Sequence, residues 1–106
     1  MSIKILLLKS NEEIITEAKE IANPESQIPL GYHLHKPFRL EIVSDEGDLV
    51  FNREKGYQLS WFPWAPLSKD KDFFLPAGHV ITAYDPLDSI REQYVHAIKE
   101  ENYEKN

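Results

Sequence analysis

The sequence predicts a small, mainly β domain carrying one C-terminal α-helix. Three observations support this. Short β-prone apolar runs recur through residue 84, separated by clusters of Gly, Pro, Asn, Asp and Ser. Phe38-Arg39-Leu40-Glu41-Ile42-Val43 alternates apolar with charged side chains, as a strand with one face in the core does. Helical spacing is clearest at the end, where Leu87, Ile90, Tyr94, Ala97 and Ile98 recur at intervals of three and four. At 106 residues, 42% hydrophobic and 11% aromatic, the chain is one domain, because half of it could not close a core, and it is too apolar to be disordered. A domain this small reaches modest stability, which oligomerisation would supplement.

In chain order, Ile3-Lys4-Ile5-Leu6-Leu7-Leu8-Lys9 reads as a strand, Ser10-Asn11-Glu12-Glu13 as a tight turn, and Ile14 to Ile21 as a second strand. A helix over residues 11–22 is the rival, since Ile14, Ala18 and Ile21 share one helical face and Asn11 could cap it. Residues 22–31, with two prolines and a glycine, read as an irregular loop. After Phe38–Val43, a turn at Ser44–Asp48 leads to a return strand, Leu49-Val50-Phe51. Lys55-Gly56 breaks the chain before the run Tyr57–Trp64. Pro63 and Pro66 lack amide donors, which places the end of that run on a sheet edge or at a bulge. A charged loop, Ser68–Asp72, precedes a final pair of short strands, Phe73-Phe74-Leu75 and Val80–Tyr84, joined by a Pro76-Ala77-Gly78 turn. Asp85 then serves as helix cap and Pro86 as first helical residue, with Asp88 favouring the N-terminal dipole. Residues 100–106 have little to bury and should fray.

Net charge and residue usage narrow the function classes. Twelve Lys plus Arg against eighteen Asp plus Glu give −6, so the molecule as a whole repels phosphate backbones and anionic lipid, and a nucleic-acid site would have to be local. There is no cysteine, which removes disulfides, thiolate nucleophiles and cysteine-ligated metals, and a reducing cytoplasm fits best. Ile5–Leu8 is too short for a signal-peptide core, no stretch reaches membrane length, and no Asn-x-Ser/Thr sequon occurs. A soluble, unprocessed cytoplasmic protein is expected.

No Gly-x-Ser-x-Gly, no phosphate-binding Gly-rich loop and no Gly-x-Gly-x-x-Gly is present. The carboxylates fall at alternating or helical solvent positions, so no catalytic residue is assigned and no cofactor is expected. His33 and His35, two apart on a strand, would aim both imidazoles at one face, as metal binding requires. With no acidic ligand at motif spacing beside them, a surface or loop role is preferred over metal, and the isolated His79 and His96 are read the same way. The segment Leu59–Leu67 holds Trp61, Phe62 and Trp64, large groups pointing to both faces of a strand. Core packing plus a subunit interface is the preferred account, and a base-stacking platform or proline-motif groove the alternative.

The strand–turn–strand Ile3–Glu17 resembles the opening of Sm-like proteins. Leu75-Pro76-Ala77-Gly78-His79-Val80-Ile81 looks like their second motif, with Gly78 at the turn between the last two strands. Together with Tyr32–Pro37, Pro63–Lys69 and the Asp85-Pro86 helix start, these segments look most like Sm-like proteins of cyanophage origin, over roughly residues 2–98. The resemblance implies a small bent five-stranded Sm-like (SH3-type) barrel over residues 1–85, a helix over 86–101 packed on it, and a frayed tail over 102–106. It also implies a homo-oligomeric ring of five to seven subunits joined at strand edges, often around an RNA-binding pore.

Within such a ring, Lys36, Arg39, His35, Gly78 and His79 would contact single-stranded RNA, Gly78 by letting backbone approach a nucleotide closely. The short edge strands, through Phe73, Phe74, Leu75, Val80 and Ile81, would form the subunit interface. Ala77 stands where the usual second motif has Arg, and His79 where it has Asn; the helix follows the barrel rather than preceding it. A second function therefore stands beside the first: a non-enzymatic assembly module that keeps the barrel without the nucleotide pocket and joins a phage or host protein.

Overall fold

The computed structural model describes residues 2–43 and 58–104. The expected turn at residues 44–48, the return strand at 49–51 and the break at 55–56 lie outside them. The order is β1 (Ser2–Leu8), β2 (Glu13–Ala22), β3 (Pro29–Val43), β4 (Gln58–Pro63), β5 (Asp72–Pro76), a 3-10 turn (Ala77–His79), β6 (Val80–Tyr84) and α1 (Asp88–Glu104). The protein is mainly β with one C-terminal helix, as expected.

β2 is a strand. A helix there would have buried Ile14 while leaving Ile15 near water, whereas both are fully buried on opposite faces of the sheet. β2 pairs antiparallel with β1 on one side, Leu6 facing Ile14, and with β3 on the other. The loop expected at 22–31 contracts to a short turn in which the Asn23 side-chain oxygen accepts the N–H groups of Glu25 and Ser26. The third strand therefore starts at Pro29 and is fifteen residues long, of which the alternating pattern marked the last six. Its prolines fit because each sits where the ladder asks for no donor: Pro29 opens the strand and Pro37 lies in a bulge.

The expected five-stranded closed barrel becomes a six-stranded antiparallel sheet that does not close. Its path is β4-β3-β2-β1-β6, with β5 also on β3. β5 pairs with residues 31–35 of β3 and β4 with residues 38–43, so both lie along one edge of β3, in line. Six strands thus fill five lateral positions, the fifth interrupted by residues 64–71. β5 and β6, expected to pair, instead join opposite parts of the sheet: β5 is held by β3 and β6 by β1.

The bend in β3 falls at Lys36-Pro37. The β2–β3 register slips between Ile15/Phe38 and Glu17/His35, so Lys36 and Pro37 together oppose Thr16, and Lys36 adopts a φ of 52°. Thr16, fully buried, donates its hydroxyl to the His35 carbonyl at 2.9 Å.

Apolar residues fill both faces, which explains the unbroken run Ile5–Leu8. One face carries Leu6, Leu8, Ile14, Leu34 and Leu75, with Tyr32, Trp64, Phe73 and Val80 against them. The other carries Ile5, Ile15, Phe38, Leu40 and Trp61, under Ile90, Tyr94 and Ile98 of α1. Phe38 meets Trp61 and Tyr94 edge to face, at centroid distances of 6.4 and 6.1 Å.

The helix starts later than the capping pattern predicts. Asp85 is engaged by the Lys4 ammonium at 2.6 Å, and the first helical bond runs from Arg91 N–H to Leu87 C=O, which leaves Leu87 exposed. The helix continues through Glu104, beyond the expected limit at 101.

Candidate functional site

The five residues expected at an RNA pore do not gather on one patch of the chain. His35 and Lys36 sit at the bulge, and Arg39 lies beyond it on β3. Gly78 and His79 belong to the 3-10 turn, which follows the Pro76–Gly31 pairing at the other end of β3. Five residues of extended strand, about 16 Å at 3.3 Å per residue, separate Gly31 from Lys36, and Arg39 lies beyond the bend.

Arg39 and His35 each have a carboxylate partner. Arg39 pairs with Glu41 on its own strand and lies over the Phe62 ring, 4.7 Å from the centroid. His35 is bonded to Asp72. The Lys36 backbone N–H donates to Lys71 C=O at 2.7 Å, and the cavity beside it, bounded by Pro37, Pro63, Trp64 and Phe73, holds only about 30 Å³, room for one water and not for a base. Among the described residues Gly78 is not needed for close approach, since a β-carbon there would meet nothing within 4 Å. The His79 carbonyl accepts the Lys9 N–H at 2.9 Å.

The residues expected at a subunit interface divide. Leu75 is buried in the chain's own core, and Phe73 and Val80 pack against that core. Phe74 and Ile81 are exposed. Ile81 has no partner in the β1–β6 register, which passes from Leu7/Thr82 to Leu8/Val80, so it protrudes at a bulge on an edge strand. The aromatic segment is largely accounted for by core packing: Trp61 lies on the helix side and Trp64 on the opposite side, edge to face with Phe73. Phe62 remains partly exposed under Arg39.

Sequence reading found only half of one polar constellation. His33 and His35 do share one face of β3, and β5 brings Asp72 opposite His35. Asp72 Oδ1 stands 2.8 Å from His35 Nδ1 and 3.0 Å from His33 Nε2. The hydrogen bond with His35, aided by the charge interactions with both rings, holds the Asp72 carboxyl below the ordinary 3.8. Asp72 is 37 positions from His35, so no local spacing announces the pairing. The chemical signal available was an acidic residue at the start of a short strand.

On the outer side of α1, Asp88, Arg91, Glu92 and Lys99 border a broad open hollow. Charges of both signs on one helix face are a solvated surface.

Fold and site define a six-stranded antiparallel β-sheet domain with one helix on its face, in which Lys4 and Arg39 are held by the carboxylates of Asp85 and Glu41. Among the described residues no helix is long and apolar enough to cross a membrane. No protein-family model matches the chain, and no curated protein is significantly similar to it.

Proposed function

We propose that this protein is a non-enzymatic assembly module that associates with copies of itself through the edges of its sheet, in an Sm-like ring. The observation that supports this most directly is the edge at β6. Among the described residues that strand pairs with β1 alone, and it carries Ile81 and Tyr84 at 57% and 41% exposure. An edge with unpaired backbone groups and exposed apolar side chains recruits another strand. The five lateral positions, the bend in β3 and the 3-10 turn before the last strand are compatible with the Sm-like arrangement.

RNA binding is the second reading, favoured by the stacked Arg39–Phe62 pair, half-buried at Arg39 and exposed at Phe62, on which a base could stack. The net charge of −6 and the carboxylates on Arg39 and His35 weigh against it.

Light scattering on the eluting protein across the micromolar range tests the assembly reading. A defined oligomer is expected, reduced to monomer by Ile81→Lys without loss of the folded circular-dichroism signal. A wild-type monomer throughout that range overturns it. Labelled oligonucleotides titrated at low salt, with Lys36→Ala/Arg39→Ala as control, decide the RNA reading.

A further inference from the structure

We infer that the His35 imidazole is an acyl-acceptor site, at which Nε2 attacks neutral carbonyl electrophiles while Asp72 holds the other side of the ring. A ring nitrogen is nucleophilic when it carries the lone pair, and the hydrogen bond made by the opposite nitrogen decides which one does.

Asp72, the register partner of His35 on β5, places Oδ1 2.8 Å from His35 Nδ1. Its carboxyl is held below the ordinary 3.8, first by that hydrogen bond, so near neutral pH it is ionised and can only accept. The proton between them therefore belongs to Nδ1, and the lone pair of the neutral ring falls to Nε2. Among the described residues Nε2 has no hydrogen-bond partner, and no buried side-chain nitrogen lacks one, so this atom is not sealed from solvent. His33 is the poorer acceptor. Its Nε2 is the nitrogen that faces Asp72 Oδ1, at 3.0 Å, which leaves Nδ1, the nitrogen crowded by its own Cβ and backbone.

In the step, the Nε2 lone pair forms a bond to the carbonyl carbon, and the bond from that carbon to its leaving oxygen breaks with both electrons. The leaving group departs as an anion, and the ring becomes an N-acylimidazolium that keeps its Nδ1 proton on Asp72. Positive charge develops on the ring as the bond forms, and the carboxylate already fixed on the far nitrogen stabilises it. That same carboxylate selects the donor. A group on Nε2 sits one ring away from Asp72, so a neutral carbonyl approaches without the repulsion that an anionic phosphoryl donor meets. Of the charged residues paired across β2, Glu17 is the register partner of His35 and Lys19 that of His33. The reaction modifies the chain itself and does not depend on how copies assemble.

The test uses the full chain with diethyl pyrocarbonate, a neutral acyl anhydride, as limiting probe near neutral pH, and reads the rate at each histidine by peptide mass mapping. His35 should be acylated faster than His79, which is exposed on the 3-10 turn and serves as reference within the same chain. Asp72→Asn keeps an oxygen to accept the Nδ1 proton but removes the charge, and should slow His35 by about tenfold while His79 is unchanged. His33→Gln should leave the His35 rate nearly as it was. If Asp72 only held β5 in place, its replacement would uncover His35 and speed the reaction. A faster or unchanged His35 in Asp72→Asn overturns the inference, and so does a wild-type His35 rate no higher than that of His79, a comparison that stands even if the variant does not fold.

Discussion

The hydroxyl of Tyr94 accepts the backbone N–H of Glu17 at 3.1 Å, so a helix side chain completes the hydrogen bonding of a strand. It also donates between the carbonyls of His35 and Lys36, each 2.9 Å away. These are backbone groups around the β3 bulge, where the strand ladder is interrupted. Tyr94 is fully buried, and among the described residues no buried side-chain nitrogen or oxygen lacks a partner.

Tyr94→Phe keeps the ring packing against Phe38 and removes only the hydroxyl. The Glu17 N–H would then lose this acceptor, while the His35 carbonyl keeps the Thr16 hydroxyl, at a cost of about 1–3 kcal/mol. Urea denaturation of the two proteins, compared at equal slope, measures this.

Ile90→Ala and Leu87→Ala form a contrasting pair on one helix. Ile90 is buried against Ile5 and Ile15, and its truncation should cost about 2–5 kcal/mol. Leu87 is 64% exposed, and its truncation should change stability by no more than about 0.5 kcal/mol. Thermal melts separate the two.

Gly31 and Gly78 form a second contrast. A β-carbon at Gly31 would lie 2.4 Å from the Leu75 carbonyl oxygen and 2.7 Å from Phe74 Cζ. Because the first of these is backbone, Gly31→Ala should destabilise by about 1–3 kcal/mol. Gly78→Ala meets no atom and should leave the melting temperature nearly unchanged.

Asp72 makes stability depend on pH on the acid side. Its folded-state pKa lies below the ordinary 3.8, chiefly through the hydrogen bond with His35. The contribution is therefore complete above about pH 4–5 and is lost as pH falls through the folded-state value. Asp72→Asn should make the stability profile shallower below pH 4, as followed by denaturant midpoints at successive pH values.

The sequence made strand type and position legible where side-chain chemistry is local. The apolar runs at Ile5–Leu8 and Val80–Tyr84 became β1 and β6, and the spacing of Ile90, Tyr94 and Ile98 became the buried face of α1. Residues 29–37 were illegible as strand because Pro29, Gly31 and Pro37 carry a local breaking signal. Pairing with β2 and the bulge at Lys36 override that signal. Asp85 looked like a helix cap because capping is judged from neighbours, while its actual partner, Lys4, is 81 positions away. The His33–Asp72–His35 constellation was half legible: period two put both imidazoles on one face, but only strand pairing supplies the carboxylate.

The pairing of β1 with β6 also dictates when the sheet can be completed during synthesis. Ile5 meets Tyr84, so one edge of β1 waits for almost eighty further residues, roughly 4–16 s at typical elongation rates of about 5–20 residues per second. Through that interval the Ile5–Leu8 run has β2 on one side and no native neighbour on the other. The nascent chain is thus exposed to misassociation, and in need of chaperone cover, at the free edge of β1.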